Sequence, residues 1–168
     1  MSHARTLAGE HVIEVGAGRL AVADAPAVLL TEALGSCVGV ALWDSKAEVG
    51  GLAHVMLPSP LDTVVMGEPA RFASFAVPAL VEGIEERGGK RRRLQAKLAG
   101  GAAMFRGGDS VLASIGQRNL EEVLERLSDL RVPVVAQDTG GSHARTVELH
   151  LRTGVLVVRS YLHGIREL

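Results

Sequence analysis

Residues 34–57 hold the run Leu34-Gly35-Ser36-Cys37-Val38-Gly39-Val40-Ala41-Leu42-Trp43 and, soon after, Gly50-Gly51-Leu52-Ala53-His54-Val55-Met56-Leu57. Val38–Trp43 and Gly51–Leu57 read as buried strands, the first closed by the turn residues Asp44-Ser45, the second by Pro58 and Pro60. If the two are neighbours joined by the Asp44–Gly50 turn, Cys37 lies at one end of their ladder. Side-chain alternation then decides whether His54 points the same way.

Working outward, Ala27–Thr31 is a short apolar run bounded by Pro26 and Gly35, again a strand. Val12–Val15 and Arg19–Val22 read as a hairpin around Gly16-Ala17-Gly18. Residues 58–67 read as a loop. A helix is expected from Pro69, with an apolar stripe of Phe72, Phe75, Ala76, Ala79, Leu80 and Ile84. Pro78 predicts a kink or break in it, and Gly88-Gly89 its end. Leu94–Leu98 is a strand entering Gly100-Gly101. A second helix spans roughly 119–130, with Asn119 as its cap and Leu120, Val123, Leu124, Leu127 and Leu130 as its stripe. Pro133–Ala136, Val147–Leu151 and Val155–Val158 complete the strands. Strands dominate and only two helices interrupt them, which is not the βαβ alternation of a doubly wound sheet. The expected fold is α+β, mixed sheets with helices on one face, in a single domain over 11–168 behind a flexible N-terminus, 1–10.

Composition narrows the function. The 168 residues suit one domain, and 18 Lys plus Arg against 19 Asp plus Glu leave a net charge of −1. With three Phe, one Tyr and one Trp, base-stacking platforms are scarce, so nucleic acid is not an expected partner. No apolar run approaches the roughly 18 residues of a membrane span, so membrane insertion is not expected. A single cysteine makes no internal disulfide and fits the cytoplasm.

That cysteine is the candidate nucleophile. A free thiol is mostly protonated at neutral pH and needs a base or a positive neighbour. His54 is the expected partner. Gly35 and Gly39 leave room for a substrate carbonyl, and the backbone amide of Cys37 is a natural oxyanion donor, with Ser36 beside it. A third group should orient the imidazole; Thr31 is a candidate, with Glu32 and Ser36 as rivals. By residue type alone a lone cysteine is more often a small buried hydrophobe, and His54 fits equally well as a satisfied core histidine. Gly100, Gly101, Gly140 and Gly141 are ordinary turn residues or, alternatively, shape a groove for substrate. Lys90-Arg91-Arg92-Arg93 reads as a solvated face after a helix end. No metal-ligand spacing and no nucleotide-binding glycine motif occurs, so no cofactor is expected.

These residues resemble the CheD family of bacterial chemoreceptor glutamine deamidases. The likeness starts in Leu34–Val38 and Gly50–Pro58. It continues through Ala96-Lys97-Leu98-Ala99-Gly100-Gly101-Ala102-Ala103-Met104-Phe105, Ile115-Gly116-Gln117-Arg118-Asn119, and Asp138-Thr139-Gly140-Gly141 with Arg145. The resemblance implies hydrolysis of selected glutamine amides on methyl-accepting chemotaxis receptor helices through a cysteine thioester, with methyl-ester hydrolysis as a second activity. It implies Cys37, His54 and Thr31 as the catalytic set. It also implies CheC as a partner and a layered α/β/β fold like the catalytic domain of cytotoxic necrotizing factor toxins. The alternatives are a non-catalytic chemotaxis adaptor acting through CheC, or a different cysteine amidohydrolase.

Overall fold

A computed structural model describes residues 4–7, 10–60, 67–104 and 114–168. Residues 61–66, read above as part of a loop, and Phe105 lie outside that set. The strands are β1 (Ala4–Leu7), β2 (Glu10–Glu14), β3 (Leu20–Asp24), β4 (Val28–Leu34), β5 (Val38–Asp44), β6 (Val49–Val55), β7 (Gln95–Gly100), β8 (Val134–Thr139), β9 (Arg145–His150), β10 (Leu156–Ser160) and β11 (Gly164–Glu167). The helices are α1 (Ala73–Glu86), entered through a short 3-10 turn at Pro69–Arg71, and α2 (Ile115–Asp129). One sheet runs β1-β2-β4-β9-β10-β11, the other β3-β6-β5-β7-β8. Both are mixed, since β2 pairs with β4 and β7 with β8 in parallel while their other pairings are antiparallel.

Alternation along the central strands builds three layers. Val38, Val40 and Leu42 of β5 and Val49, Ala53 and Val55 of β6 pack with Ala76, Val77, Leu80, Ile84, Val123 and Leu127 of the helices. The opposite side chains, Ala41 and Leu52, pack with Leu29, Val147, Leu149 and Leu156 of the six-stranded sheet. The centre of the five-stranded sheet is therefore covered on both faces, and the residues of β5 and β6 are near-continuously buried. Cys37 and Trp43 join the inter-sheet core at its margin.

Three sequence expectations are corrected. Val12–Val15 and Arg19–Val22 do not form a hairpin: β2 pairs with β4 in one sheet and β3 with β6 in the other. The Gly16–Gly18 turn carries the chain between layers, and the Gly18 N–H donates to His54 O across that corner (3.0 Å). Local pattern cannot tell a hairpin from a sheet-to-sheet corner, because both alternate in the same way. Pro78 does not break its helix; α1 runs through it. Its missing N–H would have served the carbonyl of half-buried Ser74, while Ala73, Ala76, Val77, Leu80, Val81 and Ile84 keep one continuous buried face. Asn119 is not a cap but lies inside α2, four residues past its start, and is fully buried. Of residues 1–10, Ala4–Leu7 form the edge strand β1 against β2.

Candidate active site

The inter-sheet face gathers the candidate residues. In the β5–β6 ladder Gly39 stands opposite His54. Cys37 is two residues along from Gly39 on the same side, which makes it the diagonal neighbour of His54. Gly39 presents no side chain between them. Thr31 comes from the other sheet: it sits on β4 with Leu29 facing the same core, paired with Val147 of β9. Directly after it β4 loses register, and Ala33 takes φ +59°, the left-handed region that non-glycine residues rarely adopt. That bulge lifts the chain out of one sheet and delivers Gly35–Cys37 to the start of β5 in the other.

The hydroxyl of Thr31 settles the state of the imidazole. Thr31 Oγ1 donates to Val15 O at 2.6 Å and lies 2.7 Å from His54 Nδ1. A hydroxyl has one proton, and it is committed to Val15, so Oγ1 accepts from Nδ1–H. His54 is thereby held as the Nδ1–H tautomer with Nε2 as its basic nitrogen. Both rivals for the orienting role are elsewhere: Glu32 is exposed on the bulge and Ser36 is half-buried in the loop. Burial pushes the Cys37 thiol up from 9.0 and the His54 imidazole down to about 4. The resting pair is therefore neutral thiol and neutral imidazole.

The loop before Cys37 is held by its carbonyls. Gly35 O accepts from Ala102 N–H (2.9 Å), Ser36 O from Asn119 Nδ2 (2.9 Å) and Cys37 O from Gly101 N–H (2.8 Å). No described residue accepts from the N–H of Ser36 or of Cys37. All three carbonyls of this loop are thus engaged, while two of its amides have no acceptor among the described residues.

Gly100 and Gly101 stand on the carbonyl side of this loop. Gly100 has φ +104°, and a Cβ there would collide with Cys37 O, so glycine is required for β7 to approach so closely. Gly140 and Gly141 form the next tier, with Gly140 N–H donating to Gly100 O and Gly141 O accepting from Ala103 N–H (each 2.9 Å). Arg145, 3 % exposed, locks that tier. Its guanidinium donates to Gly140 O (2.9 Å) and pairs with Asp138 Oδ1 (3.1 Å). From the sequence, Arg145 reads only as a member of a motif block with no task, and Asn119 as a helix cap rather than a part of this loop. The signal available for Arg145 was a charged residue four positions past a paired glycine, which residue type alone does not interpret.

Around this loop the exposed side chains include apolar ones: Met56, which follows His54 by two residues, is 38 % exposed and Met104 43 %. Met104 covers Gly35, where a Cβ would come within 3.0 Å of its Cγ. Among the described residues no three His, Cys, Asp or Glu side chains gather as metal ligands, and no helix is long and apolar enough to cross a membrane.

The family described as CheD chemotactic sensory transduction matches residues 56–160. The chain belongs to the CheD family. It is 41% identical over 155 residues to a Clostridium novyi protein named "Probable chemoreceptor glutamine deamidase CheD", covering 92% of this chain and 96% of that one. Proteins of the same name from Moorella thermoacetica and Geobacillus kaustophilus are 45% and 44% identical, over 88% and 93% of this chain and 90% and 96% of theirs.

Proposed function

We propose that this protein is a protein-glutamine glutaminase that converts selected glutamines of methyl-accepting chemotaxis receptors to glutamate, releasing ammonia. The observation that carries the chemistry is the pair of open N–H groups at Ser36 and Cys37 beside a half-buried thiol on the same sheet face as an oriented histidine. The receptor as substrate is carried by the names of the CheD relatives.

In this reading Cys37 Sγ attacks the side-chain amide carbon as its proton passes to His54 Nε2. The carbonyl oxygen becomes an oxyanion and accepts from the amides of Ser36 and Cys37. Collapse expels the nitrogen as ammonia, protonated by His54, and leaves a thioester. Water, deprotonated by the same Nε2, attacks the thioester carbon; glutamate leaves and the thiol is restored. Because the resting pair is neutral, proton transfer accompanies attack rather than preceding it. A methyl ester of glutamate enters the same cycle with methanol as the leaving group. Exposed Met56 and Met104 near the nucleophile loop support a protein substrate over free glutamine. Gly100, Gly101, Gly140 and Gly141 act as the frame behind the nucleophile. Association with CheC, a cytoplasmic location and the likeness to cytotoxic necrotizing factor toxins rest on the family resemblance and belong to the proposal.

The test is incubation with cytoplasmic fragments of the cognate receptors, read by mass spectrometry for the amide-to-acid mass gain and by ammonia release. Receptors left unchanged, with turnover of a small amide or peptide, would move the reading to a different cysteine amidohydrolase. No turnover at all, with retained receptor or CheC binding, would favour the adaptor.

A further inference from the structure

We infer that Asn119 is a positioning residue for the reaction proposed above: its side-chain amide sets the direction in which the backbone N–H of Cys37 points.

Asn119 has no exposed surface and lies inside α2, where asparagine is a poor helix former. Its Nδ2 carries two protons, and both are used. One goes to Ser36 O (2.9 Å) and the other to Met56 O (3.0 Å). Those two carbonyls flank the chemistry: Ser36 precedes Cys37, and Met56 follows His54 by two residues. The amide cannot be turned over, because that would set its oxygen against two other oxygens. In this orientation Oδ1 is buried with no partner among the described residues. The fold thus leaves one acceptor unsatisfied and gains two placed donors, a trade expected at functional positions rather than in cores selected for stability.

The consequence follows from peptide planarity. The only cis bond among the described residues is Ala25-Pro26, so the Ser36–Cys37 peptide is trans. In a trans plane the C=O and N–H point in opposite directions. Holding Ser36 O toward α2 therefore turns the Cys37 N–H away from the helix layer, to where no described acceptor waits. The same helix fixes the preceding plane, Gly35–Ser36, by a different device. Gly116, one turn earlier, lets α2 press on the Gly101-Ala102 backbone, where a Cβ would collide with Ala102 O. Ala102 N–H in turn holds Gly35 O and directs the Ser36 N–H. The first turns of α2 thus aim both open amides, one through a side chain and one through backbone contact.

The test uses Asn119→Asp, which keeps the shape but replaces both donors with acceptors, and Asn119→Ser, which keeps one donor. With wild type turning over receptor fragments, kcat is expected to fall about 10²-fold in Asn119→Asp, the usual loss for one oxyanion donor, with KM nearly unchanged. The serine variant should lie between. Iodoacetamide alkylation of Cys37 needs no oxyanion donor and should keep its pH profile in both. Wild-type kcat in a folded Asn119→Asp, or a loss explained by melting alone, overturns the inference. A readout independent of turnover comes from the lone cysteine: cysteine-selective 15N labelling yields a single backbone amide resonance. In wild type that resonance should be sharp and exchange rapidly with water; in the variants it should broaden or double. A wild-type Cys37 amide as protected as the neighbouring strand amides overturns the inference even if neither variant folds. An inactive wild type with an open Cys37 amide would instead overturn the receptor-deamidase reading and leave the aiming role intact.

Discussion

The β5–β6 hairpin has two ends built to opposite specifications. At the turn end Asp44 is fully buried and every demand of its carboxylate is met. It accepts from the N–H of Lys46 (3.0 Å), Ala47 (3.1 Å) and Lys90 (2.8 Å) and from Arg93 Nε (2.9 Å), all ordinary lengths for such bonds. Burial alone would push that carboxyl up, but the bonds from Arg93, Lys90, Ala47 and Lys46 outweigh it and hold it at about 2. Part of the basic run read in sequence as a solvated face is thus an internal counter-charge. At the open end the same two strands carry a thiol pushed up, an imidazole pushed down, two N–H groups without described acceptors and a left-handed alanine at the bulge. One end satisfies its polar groups and stabilises the fold. The other leaves them open, and it is there that the proposed reaction would need partners for substrate atoms.

The largest expected effect comes from removing the sulfur. Cys37→Ala should abolish the mass gain on receptor glutamines while leaving the melting transition in place; an active variant would break the contrast between the two ends. His54→Ala should follow, with kcat lower by about 10³-fold. The wild-type pH profile sharpens the same point. His54 must be neutral to accept a proton, so kcat/KM should rise as pH climbs through about 4, not through the ordinary histidine range, and then stay level across neutrality. Alkylation by iodoacetamide should be slow at neutral pH and still be climbing at 9.0, because burial pushes the thiol above its ordinary value and disfavours the thiolate. Fast alkylation well below that point would show a preformed ion pair.

Thr31→Val keeps the volume, removes the hydroxyl and frees the imidazole to change tautomer; a loss of about 10- to 100-fold in kcat is expected, with KM held. Asp44→Asn is the control from the other end. The Asp44 carboxyl is depressed from 3.8 to about 2, so its contribution is complete above 3.8 and vanishes as pH falls through about 2. At neutral pH the variant should lose about 2 kcal/mol of stability and keep its kcat per folded molecule. A drop in kcat at unchanged stability would mean that the two ends are coupled.

Much of this was legible in the residue order. Short apolar runs marked β4, β5 and β6, the helix stripes marked α1 and α2, and the lone thiol near a histidine marked the pair on which the proposed chemistry rests. Those signals are local, since side-chain period and turn residues depend on neighbours a few positions away. The assignment of strands to sheets was not legible. β2 and β3 alternate as a hairpin would, and only hydrogen bonds to β4 and β6 separate them. The same holds for Thr31, which was one of three candidates until Oγ1 was seen to bridge Val15 and His54.

Asn119 shows the boundary most clearly. Its residue type before an apolar stripe reads as a helix cap, and only packing reveals two carbonyls, at Ser36 and Met56, converging on its amide. Residue identity and local period suffice to say which side chains have reactive atoms and which faces are apolar. They do not say which distant backbone groups come within hydrogen-bonding reach, because that depends on how layers far apart in the chain stack on one another.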